Sequence, residues 1–210
     1  MKLICFDMDG VLIKPVHFWN EVHKVFGTVE EGERLTKKYL HSNYALLVEQ
    51  VMKLWRGKEA GPYFELVNSV EYMEGVREVF DFIKEKGYTT AIISASSIHV
   101  AERIQRYFGV DHIFANKLVI DNNRVTGEFV WPIGAGNHKK AEIIRKLCAE
   151  LRISSKEVIY IGDDDIDFEA FQEVGVSIAF NSKSKGLRKV ATHVVEGDDL
   201  RKIIQYLRMV

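Results

Sequence analysis

Four short apolar runs, Leu3 to Phe6, Thr89 to Ser94, Val158 to Ile161 and Ser177 to Phe180, restrict this chain more than any other feature. Each ends in a polar or glycine-containing turn and lacks period-two alternation, as expected of a strand buried on both faces. Amphipathic stretches lie between them: Gly75 to Lys86, ended by Gly87, then Ile98 to Phe108, ended by Gly109, and Lys139 to Arg152. Glycine just past a helical run is a stop signal. Strand-helix alternation of this kind predicts a doubly wound, Rossmann-like α/β core, a parallel sheet with helices on both faces.

Residues 14–70 have a different texture. Trp19, Phe26, Tyr39, Tyr44, Trp55 and Phe64 are spread at helical periods with no strand-like run, Pro15 and Pro62 stand near the edges, and Gly57 and Gly61 break the later helices. The segment reads as an inserted helical cap whose aromatic residues form a small core of its own. The core is then residues 1–13 and 71–210, and 210 residues suffice for one buried domain plus such an insertion. A second interruption, Lys117 to Val130, alternates around Asn122-Asn123 and reads as a β-hairpin, placed as a flap over the sheet edge, with a turn that accepts positive φ.

Apolar residues at 47%, charged residues at 28% and a net charge of −1 describe a globular chain and give no reason to expect nucleic acid. Lys183, Lys185, Arg188 and Lys189 sit at helical spacing among apolar positions and read as a solvated face. Cys5 and Cys148 have neither metal-type spacing nor a disulfide pattern. No segment is long and apolar enough for a bilayer, and Asp7 and Asp9 interrupt the stretch that a signal peptide would need, so the cytoplasm is the expected location.

Ligands of open parallel sheets bind at the C-terminal strand ends near the switch point. Four such places carry reactive groups: Asp7 with Asp9, Ser94 followed by Ala95, Lys140 at a helix start, and Asp163, Asp164, Asp165 and Asp167. Each has an ordinary explanation on its own: a turn before Gly10, a serine bonded to its backbone, a solvated lysine, the acidic cap and first turn of a helix running to Glu173. Together they suit phosphate monoester hydrolysis, which needs a placed nucleophile and positive charge against the phosphoryl oxygens. A carboxylate attacks phosphorus, a hard divalent ion such as Mg²⁺ takes oxygen ligands, and a hydroxyl, backbone N–H groups and an ammonium hold the remaining oxygens.

Asp7-Met8-Asp9-Gly10-Val11 after an apolar strand resembles the first motif of the haloacid dehalogenase superfamily. Ser94 after Ala91-Ile92-Ile93 resembles the second, Lys140-Ala141-Glu142-Ile143 the third, and Gly162-Asp163 with Asp167 the fourth. The resemblance implies Asp7 as nucleophile and Asp9 as general acid, then base. It implies Mg²⁺ held by Asp7, the Asp9 backbone carbonyl and Asp163, with Asp167 in support, and phosphate held by Ser94, the Ala95 backbone and Lys140. Glu74-Gly75-Val76, Phe114-Ala115-Asn116-Lys117-Leu118 with Thr126-Gly127, and Ile178-Ala179-Phe180 are most similar to phosphoserine phosphatases. That similarity implies a small phosphorylated metabolite as partner, phosphoserine first, and a place in serine biosynthesis.

The chain departs from that pattern in residues that touch substrate. Gly10-Val11 stand where Ser-Thr is usual, Asp164 replaces a glycine and Ile166 an asparagine. The cap glutamate falls near Val16, with Glu21 the nearest acid, and the carboxylate-binding arginine near Val48 or Glu49, with Arg56 the nearest arginine. A receiver-like signalling module would share the acidic pocket, but it places its acidic pair and phosphorylated aspartate on different strands and has no cap. A dehalogenase would need neither Asp9 nor a metal, whereas a phosphotransferase would use the same residues. Gly134-Ala135-Gly136-Asn137 lacks the full glycine fingerprint of a nucleotide-binding turn. Asn137 is expected to cap the helix that follows and His138 to lie on the surface.

Overall fold

The computed structural model describes residues 2–134 and 139–208 of the chain; Asn137 and His138 lie outside the described residues. In order the elements are β1 (Leu3–Phe6), α1 (Phe18–Val25), α2 (Val29–Tyr39), α3 (Tyr44–Trp55), α4 (Gly61–Ser69), α5 (Val76–Glu85), β2 (Thr89–Ser97), α6 (Ile98–Phe108), β3 (His112–Asp121) and β4 (Arg124–Val130). There follow α7 (Lys139–Leu151), β5 (Val158–Gly162), α8 (Phe168–Glu173), β6 (Val176–Phe180), α9 (Lys185–Val190), β7 (His193–Val195) and α10 (Ile204–Leu207). The strands form one sheet in the order β4-β3-β2-β1-β5-β6-β7, parallel except for the β3–β4 pair.

β1 is central because its side chains suit two apolar layers at once. Ile4 and Phe6 join the core cluster that contains Val79, Phe80 and Ile104, whereas Leu3 and Cys5 join the one that contains Ile144, Leu147 and Phe171. β5 divides in the same way, with Ile159 and Ile161 in the first cluster and Val158 and Tyr160 in the second. Successive strand residues point to opposite faces, so a strand covered on both sides needs an unbroken apolar run. Truncating one such residue to alanine costs about 2–5 kcal/mol.

Strand connections run from β1 outward through β2 to β3, then return to the other side of β1 at β5. The switch point therefore lies between β1 and β5, beyond whose C-terminal ends Asp7 and Asp163 stand. β7 is only three residues long, too short to leave a signature in the sequence. β3 begins earlier than the hairpin suggests: it pairs in parallel with β2 through His112 to Phe114 and antiparallel with β4 from Lys117 onward. Asn122 and Asn123 both have positive φ, 46° and 58°, and make the tight turn.

Four helices, α1 to α4, fill the interval between β1 and α5. Their centre is Trp55, 1% exposed, with His23 and Phe26 packed on its ring. The hairpin is stitched to the segment after α3: Gly57 N–H donates to the Val125 carbonyl (2.8 Å), Val125 N–H to Lys58 (3.0 Å), and Ala60 N–H to Asn123 (2.9 Å). It thus forms both the edge of the sheet and a wall beneath the cap. On the opposite side the Arg103 guanidinium donates to the carbonyls of Val67 and Val70, both at 2.8 Å, tying the end of α4 to α6.

Candidate active site

β1 delivers Asp7 to the sheet's C-terminal edge, where its N–H continues the ladder to the Ile161 carbonyl at 2.8 Å. One Asp7 oxygen accepts from Met8 N–H at 2.6 Å and the other lies 3.0 Å from Lys140 Nζ. The chain then turns back tightly, with Leu12 and Ile13 N–H donating to the Met8 carbonyl at 2.9 and 3.0 Å. Gly10 makes this turn at φ 78°, and a Cβ there would collide with the Asp163 carboxylate. Only glycine serves both needs, positive φ and close approach.

Lys140, on the first turn of α7, is 2% exposed and reaches two carboxylates, Asp7 and Asp167, the latter at 2.6 Å. Burial opposes its charge, but the two aspartates outweigh that, so its pKa rises and the ammonium persists. Asp167 is fully buried and fully engaged. One oxygen accepts from Lys140 and from the Tyr160 hydroxyl at 2.8 Å; the other accepts from the N–H groups of Asp163 and Asp164 at 3.0 and 3.4 Å. A Cβ at Gly162 would strike this carboxylate, so the second glycine of the site makes room as the first does.

The four acids after β5 have four different fates. Asp163 stands against Gly10, Asp164 caps the following turn by accepting from Asp165 N–H at 2.7 Å, exposed Asp165 accepts from the Ser184 hydroxyl, and Asp167 turns inward to Lys140. Asp7, Asp163 and Asp167 each offer an oxygen, all within 4.8 Å of one another. Burial, then the neighbouring Asp7, pushes Asp9 up to about 7; burial, then Asp7 and Asp167, pushes Asp163 up to about 8. Asp7 rises to about 6 because burial and Asp167 exceed the help from Lys140. One buried Asp9 oxygen has no hydrogen-bond partner. Crowded carboxylates and an orphaned oxygen fit a hard cation with oxygen ligands. Asp167 already accepts four hydrogen bonds, so Asp7 and Asp163 are the less engaged carboxylates of the three.

Ser94 is buried within β2, its hydroxyl accepting from Ser96 N–H at 3.3 Å. The Ala95 carbonyl accepts from the Trp19 indole N–H (2.9 Å) and the Asn116 amide (2.8 Å). A cavity of about 510 Å³ rises from this floor into the cap, lined below by Asp7, Asp9, Ser94, Ala95, Ser96 and Asp163.

A haloacid dehalogenase-like hydrolase family model matches residues 1–175. The chain belongs to that family. Among relatives of this hydrolase, phosphoserine phosphatase of Methanocaldococcus jannaschii is 26% identical over 209 residues, covering 99% of this chain and 98% of the relative. That of Archaeoglobus fulgidus is 27% identical over 210 residues, but the chain spans only 60% of its length. A phosphoserine phosphatase solved as a phospho-aspartyl intermediate analogue superposes with a TM-score of 0.83 at 26% identity, covering 98% of both chains. A substrate-bound phosphoserine phosphatase complex gives the same TM-score and identity, over 98% of this chain and 97% of the other.

The structure brings Asp7, Asp9, Lys140, Asp163 and Asp167 together, with Ser94 and Ala95 on the same floor, whereas Asp164 caps a turn and Asp165 faces Ser184. The cap candidates are not. Glu21 pairs with Lys24 at 2.7 Å and Glu49 with Lys53 at 2.6 Å, while exposed Arg56 lays its stem against Gly127; none lines the cavity. Val16 and Val48 do line it. Three participants went unnoticed in the sequence. Tyr160 looks like a core aromatic, though a buried phenol signals a polar partner. Ser96, whose buried hydroxyl lies beside the Asp9 carboxylate, is lost among neighbouring serines, and Asn116 in a strand gives no sign that it pins the Ala95 and Ile133 carbonyls.

Proposed function

We propose that the chain is a Mg²⁺-dependent phosphomonoesterase that passes the phosphoryl group through an aspartyl-phosphate at Asp7. The main support is one juxtaposition: the Asp7 carboxylate lies 3.0 Å from a buried lysine and within the Asp163 cluster, on the floor of a cavity that Asp9 also lines. An Asp7 oxygen bonds to phosphorus as the ester P–O bond breaks, and protonated Asp9 gives its proton to the departing alkoxide. Asp9 then takes a proton from water, whose oxygen attacks phosphorus and displaces Asp7, releasing phosphate. Lys140 holds Asp7 and offers charge to the transferred group, positioned in turn by Asp167. Ser94 and the Ala95 backbone are assigned to the phosphoryl oxygens.

When bound at Asp7, Asp163 and the Asp9 carbonyl, Mg²⁺ supplies positive charge against the phosphate dianion. The relatives' names make phosphoserine the reference ester against which substrate choice is measured. A reducing cytoplasm suits two buried free thiols, Cys5 and Cys148. No helix among the described residues is long and apolar enough to cross a membrane. The test is phosphate release from p-nitrophenyl phosphate and L-phosphoserine, with Mg²⁺ and with chelator, for the natural chain and Asp7→Asn. Mg²⁺-dependent release lost in Asp7→Asn is expected; full activity in that variant or in excess chelator would overturn the reading.

A further inference from the structure

The cavity above the phosphate floor has walls of one character. Trp19 and Trp55 lie 6.2 Å apart between ring centroids with planes 30° apart, and Phe129 from β4 meets Trp19 edge-on at 5.0 Å. Val48, Val51 and Met52 of α3 continue the wall, and Ile166 extends it on the core side. The polar tips of these rings are engaged elsewhere: Trp19 Nε1 donates to the Ala95 carbonyl, Trp55 Nε1 to the Thr28 hydroxyl at 3.1 Å. His23 shares Nδ1 with the same hydroxyl at 2.8 Å, and burial lowers its pKa. Apart from the Tyr44 hydroxyl and the polar groups of His17, Asn20 and Thr36, what the wall offers a bound group is ring faces and aliphatic carbon.

Charge is distributed with equal clarity. Among the described residues that line the cavity there is no lysine, arginine or glutamate, and its charged members are Asp7, Asp9, Asp163 and Asp164, all on core loops. Of the remaining polar lining, Ser94 and Ser96 belong to the floor, whereas His17, Asn20, His23, Thr36 and Tyr44 belong to the cap, and His17 and Asn20 are exposed. A leaving group bearing its own carboxylate would be desolvated here against carbon and other carboxylates with no cation opposite, an arrangement that strongly opposes binding. The volume, about 510 Å³, falls in the range of pockets that enclose drug-sized ligands.

We propose that the leaving-group half of the site takes an apolar, ring-bearing alcohol, making the substrate a phosphate monoester of such an alcohol and not of a zwitterionic amino acid. The inference rests on the phosphatase reading above for its reaction, and on the cavity walls alone for its leaving group. Trp19 joins the two halves, since its ring forms the wall and its N–H holds the backbone beside Ser94.

The test compares 2-phenylethyl phosphate with L-phosphoserine, both esters of primary alcohols, under Mg²⁺, with p-nitrophenyl phosphate as a general phosphatase probe. The expected kcat/KM is higher for the phenylethyl ester by about tenfold or more, the scale at which apolar pockets discriminate. Val48→Arg, which places a cation in the wall, should cut that ratio about tenfold. Parity, a preference for phosphoserine, or a ratio untouched by Val48→Arg overturns the inference and leaves the phosphatase reading standing. If no ester releases phosphate, p-nitrophenyl phosphate included, the phosphatase reading falls. Tryptophan fluorescence titrated with 2-phenylethylphosphonate then decides the subsite. Saturable quenching that L-phosphoserine does not reproduce supports it, and its absence overturns it.

Discussion

The core floor and the cap wall bury opposite kinds of side chain. On the floor Asp7, Lys140 and Asp167 are all buried and in contact, and Asp163 is crowded against Gly10. In the cap the charges face outward in local pairs, Glu21 with Lys24, Glu31 with Arg34 and Glu49 with Lys53, and the interior is tryptophan, valine and methionine. Such exposed pairs contribute about 0–1 kcal/mol each, whereas opening a buried pair costs several. The floor therefore sacrifices stability for reactivity, and the cap is held by apolar burial and selects by it. Chemistry and selectivity should be separable by mutation.

The largest expected effect is Asp7→Asn, which lowers kcat on the order of 10⁴-fold or more in a phosphate-release assay, because an amide is a poor nucleophile. The Tm of the metal-free protein should be held or raised, since one of several crowded carboxylates is gone; a large drop would mean that the floor is structural. Lys140→Met strands Asp167 and Asp7 without their cation and should cost about 3–5 kcal/mol in denaturant unfolding, together with activity.

Acidity separates the two regions further. Asp7, Asp9 and Asp163 have folded pKa values of about 6, 7 and 8. A raised carboxylate pKa gives stability that is full below the unfolded value, about 3.9, and is lost as pH rises through the folded one. The Tm of metal-free protein should thus fall between pH 5 and about pH 9, and Mg²⁺ should remove most of that fall, because it binds the ionised form. A flat metal-free profile would contradict the crowding.

Trp19→Phe keeps the ring but removes the N–H to Ala95, a net loss of about 1 kcal/mol. It should raise KM for both esters more than it changes kcat for p-nitrophenyl phosphate. The smallest effect is that of His23, whose pKa is lowered by burial against Trp55. A lowered histidine pKa gives stability that is full above the unfolded value, about 6.5, and lost as pH falls through the folded one. In the presence of Mg²⁺ the natural chain should therefore lose slightly more stability on acidification than His23→Gln.

Much of the floor was legible because strand ends are positionally strict. Once Leu3 to Phe6 is a two-sided strand, Asp7 has to emerge at the sheet's edge, and likewise Asp163 after β5. Gly10 read in the sequence as a turn residue and Gly162 as part of a motif; that each makes room for a carboxylate, Asp163 and Asp167 respectively, is visible only in the structure. The cap yielded less. Its apolar periodicity marked helices correctly, but the family resemblance directed attention to Glu21, Glu49 and Arg56, none of which lines the cavity.

By itself the sequence determined the parallel core, the helical insertion and the reactive groups at strand ends, because side-chain periodicity and turn chemistry act over a few residues. Tertiary structure alone decided which of Asp163, Asp164, Asp165 and Asp167 turns toward Lys140, and that the apolar stripe of α3 is shared between packing Trp55 and lining a cavity. A helical pattern shows which face avoids water; what that face meets depends on elements distant in the chain, here Ala95 of β2 and Phe129 of the hairpin.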